Sequence, residues 1–158
     1  MSYLWRNVII YFRRMIEAST IITKLEVTDR ISQDMITLTY DQRCKRRCLM
    51  KTERGVEFLL NLPHAVTLQN GDAIELSDNS LILVEAAAED IIDVQSDQAN
   101  FLKKFAWYMG NKHKVIEIHD SFIRVQYDRL IEQELTKWQA KFLVHKAPFL
   151  PNINVYGL

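Results

Sequence analysis

The side chains of this chain best equipped for chemistry are four histidines, two cysteines and the carboxylates around them. Neutral imidazole binds nickel, copper and zinc, and thiolate favours softer ions. His113 stands out. It follows Trp107-Tyr108-Met109-Gly110-Asn111-Lys112, which reads as the last turn of an amphipathic helix with a glycine stop. A residue just past such a stop has a fixed backbone and a ring that can reach outward. From residue types alone, His113 is either a metal ligand or a helix-end residue that caps the turn or packs beside Trp107. One histidine cannot complete a metal site. The other ligands would come from a second chain, a tail or an acceptor protein.

His145 closes the last strand-like run and is the auxiliary candidate, because an extended segment begins beside it. His119, in a hairpin turn, and His64, after Leu62-Pro63, read as solvated or hydrogen-bonded side chains. Cys44 and Cys48 are four residues apart. On one strand they would share a face, as a soft-metal pair or as two ordinary sheet residues. The cluster Arg43, Lys45, Arg46 and Arg47 reads as an exposed strand and turn, or as a contact for an acidic partner or RNA. Glu132 and Glu134 lie two apart on a helix and do not share a face. No nucleophile has a neighbouring base, no glycine loop cradles phosphate, and no zinc-ligand spacing occurs. The expectation is a protein that is not an enzyme.

Behind these residues stand 158 amino acids, enough for one medium domain or two small ones. Twenty basic residues balance twenty acidic ones, which argues against a nucleic-acid grip. No apolar run approaches the roughly 20 residues that span a bilayer. Two thiols in an otherwise ordinary chain fit a reducing, cytoplasmic setting without a disulfide framework. Residues 1–14 are apolar and aromatic but broken by arginine and asparagine, an extension ahead of a folded unit that starts near Met15.

From residue 15 to 86, short β-branched runs alternate with turn residues. Strands are predicted at Thr20-Ile21-Ile22, Ile36 to Tyr40, Val56 to Leu60, Ala73 to Leu76 and Leu81 to Val84, which suggests a small β-rich barrel or layered domain. Glu85 to Asp90 reads as a connector. Residues 87–158 then alternate strand and helix. Ile91 to Val94 is a strand, Asp97 is placed to cap a helix, and Leu102, Phe105, Ala106 and Met109 form its buried stripe. Gly110 is assigned the left-handed C′ position. Val115 to Ile118 and Phe122 to Tyr127 form a hairpin. A helix from Asp128 to Gln139 buries Ile131, Leu135 and Trp138, and Lys141 to His145 closes the sheet. The order is the βαββαβ pattern of a ferredoxin-like domain, so the fold class is α+β. Ala147-Pro148-Phe149-Leu150-Pro151 should run extended across the surface.

Five motifs, in order, resemble the UreE-type urease accessory proteins, the nickel metallochaperones of urease maturation. They are Leu38 to Arg43 with Arg46-Arg47, Leu60-Asn61-Leu62-Pro63, Leu68-Gln69-Asn70-Gly71-Asp72, Tyr108 to His113, and Ala147-Pro148-Phe149 with Tyr156-Gly157. In the fourth, lysine stands where the family has arginine. The resemblance implies a β-rich peptide- or partner-binding domain, then a ferredoxin-like domain that binds metal and forms a homodimer, with His113 of each chain near the two-fold axis. Further family histidines would fall where Tyr127 and Arg129 stand, and no histidine run follows Tyr156. Expectation therefore concentrates on His113.

The leading expectation is a nickel carrier. It would hold Ni2+ between chains, with Cu2+ or Zn2+ as competitors, and deliver it to the accessory GTPase and urease apoprotein complex. The alternative is a metal-independent interaction adapter in urease assembly. A third reading is RNA binding on the ferredoxin-like sheet. It finds no convincing aromatic pair, since Ile123, Val125 and Tyr127 share one strand face and Arg124 and Gln126 the other.

Overall fold

The computed structural model describes residues 16–27, 32, 34–98 and 100–151. The extension 1–14, its boundary at Met15 and the Tyr156-Gly157 motif lie outside the described residues.

The first half builds one sheet. Its strands are β1 (Ile16–Ile22), β2 (Asp34–Leu38), β3 (Arg47–Lys51), β4 (Glu57–Asn61), β5 (Ala73–Leu76) and β6 (Leu81–Ala86), in the order β2-β6-β5-β1-β4-β3. Pairing is antiparallel except for β1 with β4 and β2 with β6. Alternate side chains turn inward, so Ala18, Ile36, Leu38, Met50, Phe58, Leu60, Ile74, Leu76, Ile82 and Val84 share one core drawn from every strand. The sheet curls around that core, and its two edges meet where Glu53 N–H donates to Met35 C=O at 2.9 Å.

Between β2 and β3 sits α1 (Tyr40–Arg43), entered through a capping box made by Thr39 and Gln42. This helix corrects two expectations. The strand predicted to Tyr40 ends at Leu38, and Cys44 caps α1 while Cys48 lies in β3, so the thiols share no strand face. Arg43 is not part of an exposed turn: it is fully buried.

The second half carries β7 (Ala88–Gln95), α2 (Phe101–Asn111), β8 (Glu117–Ile118), β9 (Phe122–Gln126), α3 (Arg129–Lys137) and β10 (Lys141–Pro148). The sheet order β10-β7-β9-β8 with every pair antiparallel is the ferredoxin-like arrangement. Both helices cover one face. Ile92, Val94, Ile123 and Val125 meet Phe105, Met109, Ile131 and Leu135 there.

Local differences from expectation have physical causes. The connector shrinks to Ala87, because Ala88 to Asp90 pair with β10. Asn100, not Asp97, precedes α2, and it makes no side-chain cap bond. Strand β8 keeps two of the four residues expected. Trp138 caps the end of α3 and packs edge-on against Tyr108 instead of filling the core. Ala147 and Pro148 stay in β10, paired with Glu89 and Ala88.

Phe149 then turns inward and is fully buried. It meets the Tyr40 ring edge-on at 5.2 Å, and its carbonyl accepts from Arg43 Nη2. Phe149 is therefore part of an internal joint between the two halves and does not lie on the surface. Ala87 N–H to Leu38 C=O (2.9 Å) and Tyr40 N–H to Glu89 Oε1 (2.8 Å) complete that joint.

Candidate metal centre

Helix α2 presents Phe105 and Met109 to the core and leaves its outer side to solvent. Its ending is what places His113. Gly110 is an ordinary helical residue, and the helix continues to Asn111 with Lys112 as C-cap. His113 itself takes the left-handed conformation, at φ +53°. Its N–H donates to Gly110 C=O (2.9 Å) and Lys114 N–H to Met109 C=O (3.0 Å), the two bonds of a Schellman ending. The left-handed C′ residue expected at Gly110 thus lies three positions later. Histidine is among the non-glycine residues enriched in that region.

The His113 side chain is exposed, and no hydrogen bond or ion pair among the described residues engages its ring. Trp107, on the same helix, is 72% exposed, and Asn111 Nδ2 donates to its carbonyl at 2.9 Å. Among the described residues, a Cβ on Gly110 would meet nothing within 4 Å.

Both neighbours of His113 are tied to α3. Lys112 Nζ reaches Glu134 Oε1 at 2.8 Å, and Tyr108 Oη donates to Glu134 Oε2 at 2.5 Å. Those hydrogen bonds, Lys112 first, hold the Glu134 carboxyl below its ordinary pKa, and Glu134 in turn raises that of Lys112. Lys114 Nζ bonds Asp128 Oδ2 at 3.0 Å.

His145 lies on the opposite face of the sheet, in a polar row that crosses four strands. Its Nε2 is 2.8 Å from Asp93 Oδ2, and Arg124 grips the same carboxylate through Nε (2.7 Å) and Nη2 (3.0 Å). Burial works to raise the pKa of Asp93, but hydrogen bonds from Arg124 and His145 outweigh it and hold the group ionised. An ionised carboxylate only accepts, so His145 carries a proton on Nε2, and in its neutral form Nδ1 is left to accept or to bind a metal. That is the backing a metal-binding imidazole commonly has. At the other end of the row His119 Nε2 meets Glu117 Oε1 at 2.7 Å, stacked on Phe122. Glu117 Oε2 also accepts from Leu150 N–H at 2.8 Å.

His113 and His145 are thus not brought together within one chain, and His64 sits alone on an exposed bend. Among the described residues no three His, Cys, Asp or Glu side chains group to hold a metal ion. Reading the sequence missed Asp93 and Arg124 as orienting groups. The signal was there: each is a charged residue at the centre of an apolar strand run, with opposite signs.

Comparison with known proteins follows the two halves of the fold. The family model described as UreE urease accessory protein, N-terminal domain, matches residues 18–87, and its C-terminal counterpart matches 89–157. A urease accessory protein UreE of Beijerinckia indica is 37% identical over 124 residues, 78% of this chain and 72% of that protein. One from Rhodopseudomonas palustris strain BisB18 is 38% identical over 78% of this chain, and the match spans 59% of its length. A third, from Bradyrhizobium sp. strain BTAi1, is 33% identical over 90% of this chain and 69% of its own. Among the described residues no helix is long and apolar enough to cross a membrane.

Proposed function

Because the chain belongs to the UreE urease accessory protein family, we propose that within urease maturation it carries Ni2+, without catalysing a reaction, and hands the ion on. In this reading two copies of the chain form a homodimer through their ferredoxin-like domains and hold one ion between their His113 side chains. The receivers are the accessory GTPase and the urease apoprotein complex in the cytoplasm. Cu2+ and Zn2+ compete, because imidazole alone prefers copper to nickel.

The observation that carries the reading is the setting of His113. Its ring is exposed and uncommitted, on a backbone held by a Schellman ending, beside a helical glycine that no described residue gives a steric reason to keep. Glycine inside a helix costs about 1 kcal/mol relative to alanine. A close approach by another chain at Gly110 would account for it and would bring a second His113 near the first. Two imidazoles leave coordination positions open, which suits a carrier that must release its cargo. His145, already backed by Asp93, is the auxiliary ligand on each chain.

The test is calorimetric titration of the intact protein with Ni2+, alongside sedimentation. His113→Ala should abolish the tightest site and leave the dimer in place. Because the ligand is neutral imidazole, protons compete with the metal and binding should weaken in acid. Unchanged nickel stoichiometry in His113→Ala would refute the reading.

A second reading, a metal-independent adapter, is favoured by the exposed cations Lys45, Arg46 and Arg47 beside exposed Leu49 at the sheet edge. Capture of the accessory GTPase that ignores both chelator and His113→Ala would select it.

A further inference from the structure

A ligand that shares an ion across two chains must be held within about half an ångström of its place. His113 follows directly on a helix end, and helix ends fray. What prevents fraying here comes from α3. Tyr108 and Lys112 lie one turn apart on α2, and the Glu134 carboxylate spans them, taking Tyr108 Oη on one oxygen and Lys112 Nζ on both (2.8 and 3.1 Å). The Lys112 ammonium also sits 4.7 Å over the Tyr108 ring, which meets Trp138 edge-on at 4.9 Å. Glu134 itself is anchored by its neighbour Leu135, fully buried in the core. Past His113, Lys114 bonds the Asp128 cap of α3. The turn bearing His113 is thus strapped to α3 on both sides, while its ring stays free.

We propose that Glu134 is a positioning residue for His113: it touches no metal, yet it sets metal affinity by clamping the last turn of α2. The inference rests on His113 being the nickel ligand. A partly exposed ion pair contributes little to overall stability, so the clamp acts on local order and not on whether the domain folds. It does not act as a distant negative charge either. A glutamine at 134 would keep one acceptor oxygen, which at the Oε2 position can take both Tyr108 Oη and Lys112 Nζ, and would lose the charge and the second acceptor.

Calorimetric titration of the full chain with Ni2+ separates these roles. Glu134→Ala should lower affinity about tenfold, the usual scale for a group that orients a ligand, with little change in melting temperature. Glu134→Gln should stay near wild type. Should Glu134→Ala fail to fold, Lys112→Met removes the same strap and should show the same loss. Wild-type affinity in Glu134→Ala, or in Lys112→Met, would overturn the inference. So would Glu134→Gln falling as far as Glu134→Ala, since the retained acceptor would then make no difference to the His113 turn. Unaltered binding in His113→Ala is a different failure, because it removes the nickel reading on which the clamp depends.

Discussion

The N–H of His113 donates to the carbonyl of Gly110 at 2.9 Å, so the histidine, not the glycine, occupies the left-handed turn that ends α2. The proposed ligand and the helix terminator are one residue. Each demand on position 113 can therefore be changed without the other.

His113→Gly should separate them most cleanly. A left-handed backbone costs an L-residue about 1–2 kcal/mol that glycine avoids, so this variant should melt at or slightly above the wild-type temperature. Nickel binding should nevertheless be lost. His113→Ala keeps the strained backbone and should be the less stable of the two. A thermal melt paired with a metal titration checks both orders.

Gly110→Ala has an expected sign that depends on association. Among the described residues of one chain the new methyl meets nothing, and alanine favours the helix by about 1 kcal/mol. If a second copy packs at this point, the methyl weakens the dimer instead. Sedimentation at graded concentrations should show a raised dissociation constant in Gly110→Ala, together with a more stable monomer.

The clamp around His113 should loosen in acid. Asp128 accepts from Lys114 Nζ and from Leu130 N–H, and those bonds hold its pKa below the ordinary 3.8. A depressed carboxyl pKa stabilises the fold above its unfolded value and loses that contribution as pH falls through the folded one. The melting temperature should therefore drop below about pH 4. Asp128→Asn keeps a capping side chain without the charge, so its cost should shrink on going from pH 7 to pH 3. Asp128→Ala should cost about 1 kcal/mol at neutral pH through the lost cap.

Arg43 governs the joint between the domains. Its guanidinium is fully buried, bonded to the carbonyls of Leu68 and Phe149, with no partner for Nε. Burial pushes its pKa below the usual guanidinium range, yet the group stays charged. Arg43→Ala leaves both carbonyls without their donor and opens a cavity, at about 2–4 kcal/mol. Hydrogen exchange should quicken at the Ala87 amide, which pairs across the joint with Leu38. Exchange at the buried amides of β9 should change least.

How much of this was legible follows from the range of the forces involved. Alternation of apolar side chains is a local property, and it marked the strands, the α2 stripe of Phe105 and Met109, and the βαββαβ order. Motif spacing pointed to the family and to His113. Backbone conformation at helix ends was less legible. A glycine near a helix end is the usual terminator, but both α2 and α3 end on non-glycine residues, His113 and Gln139, at positive φ. The choice there was made by which carbonyls the following amides could reach.

The sequence by itself determined the two-part α+β architecture and family membership, because both rest on periodicity and on residues close together in the chain. Only the tertiary structure decided that Arg43 and Phe149, 106 residues apart, meet in the buried joint. It also gave His145 its carboxylate and strapped the His113 turn to α3. Those contacts depend on strand register and on which helix face is turned inward. Such choices are settled by burial across the whole fold and leave no mark in local spacing.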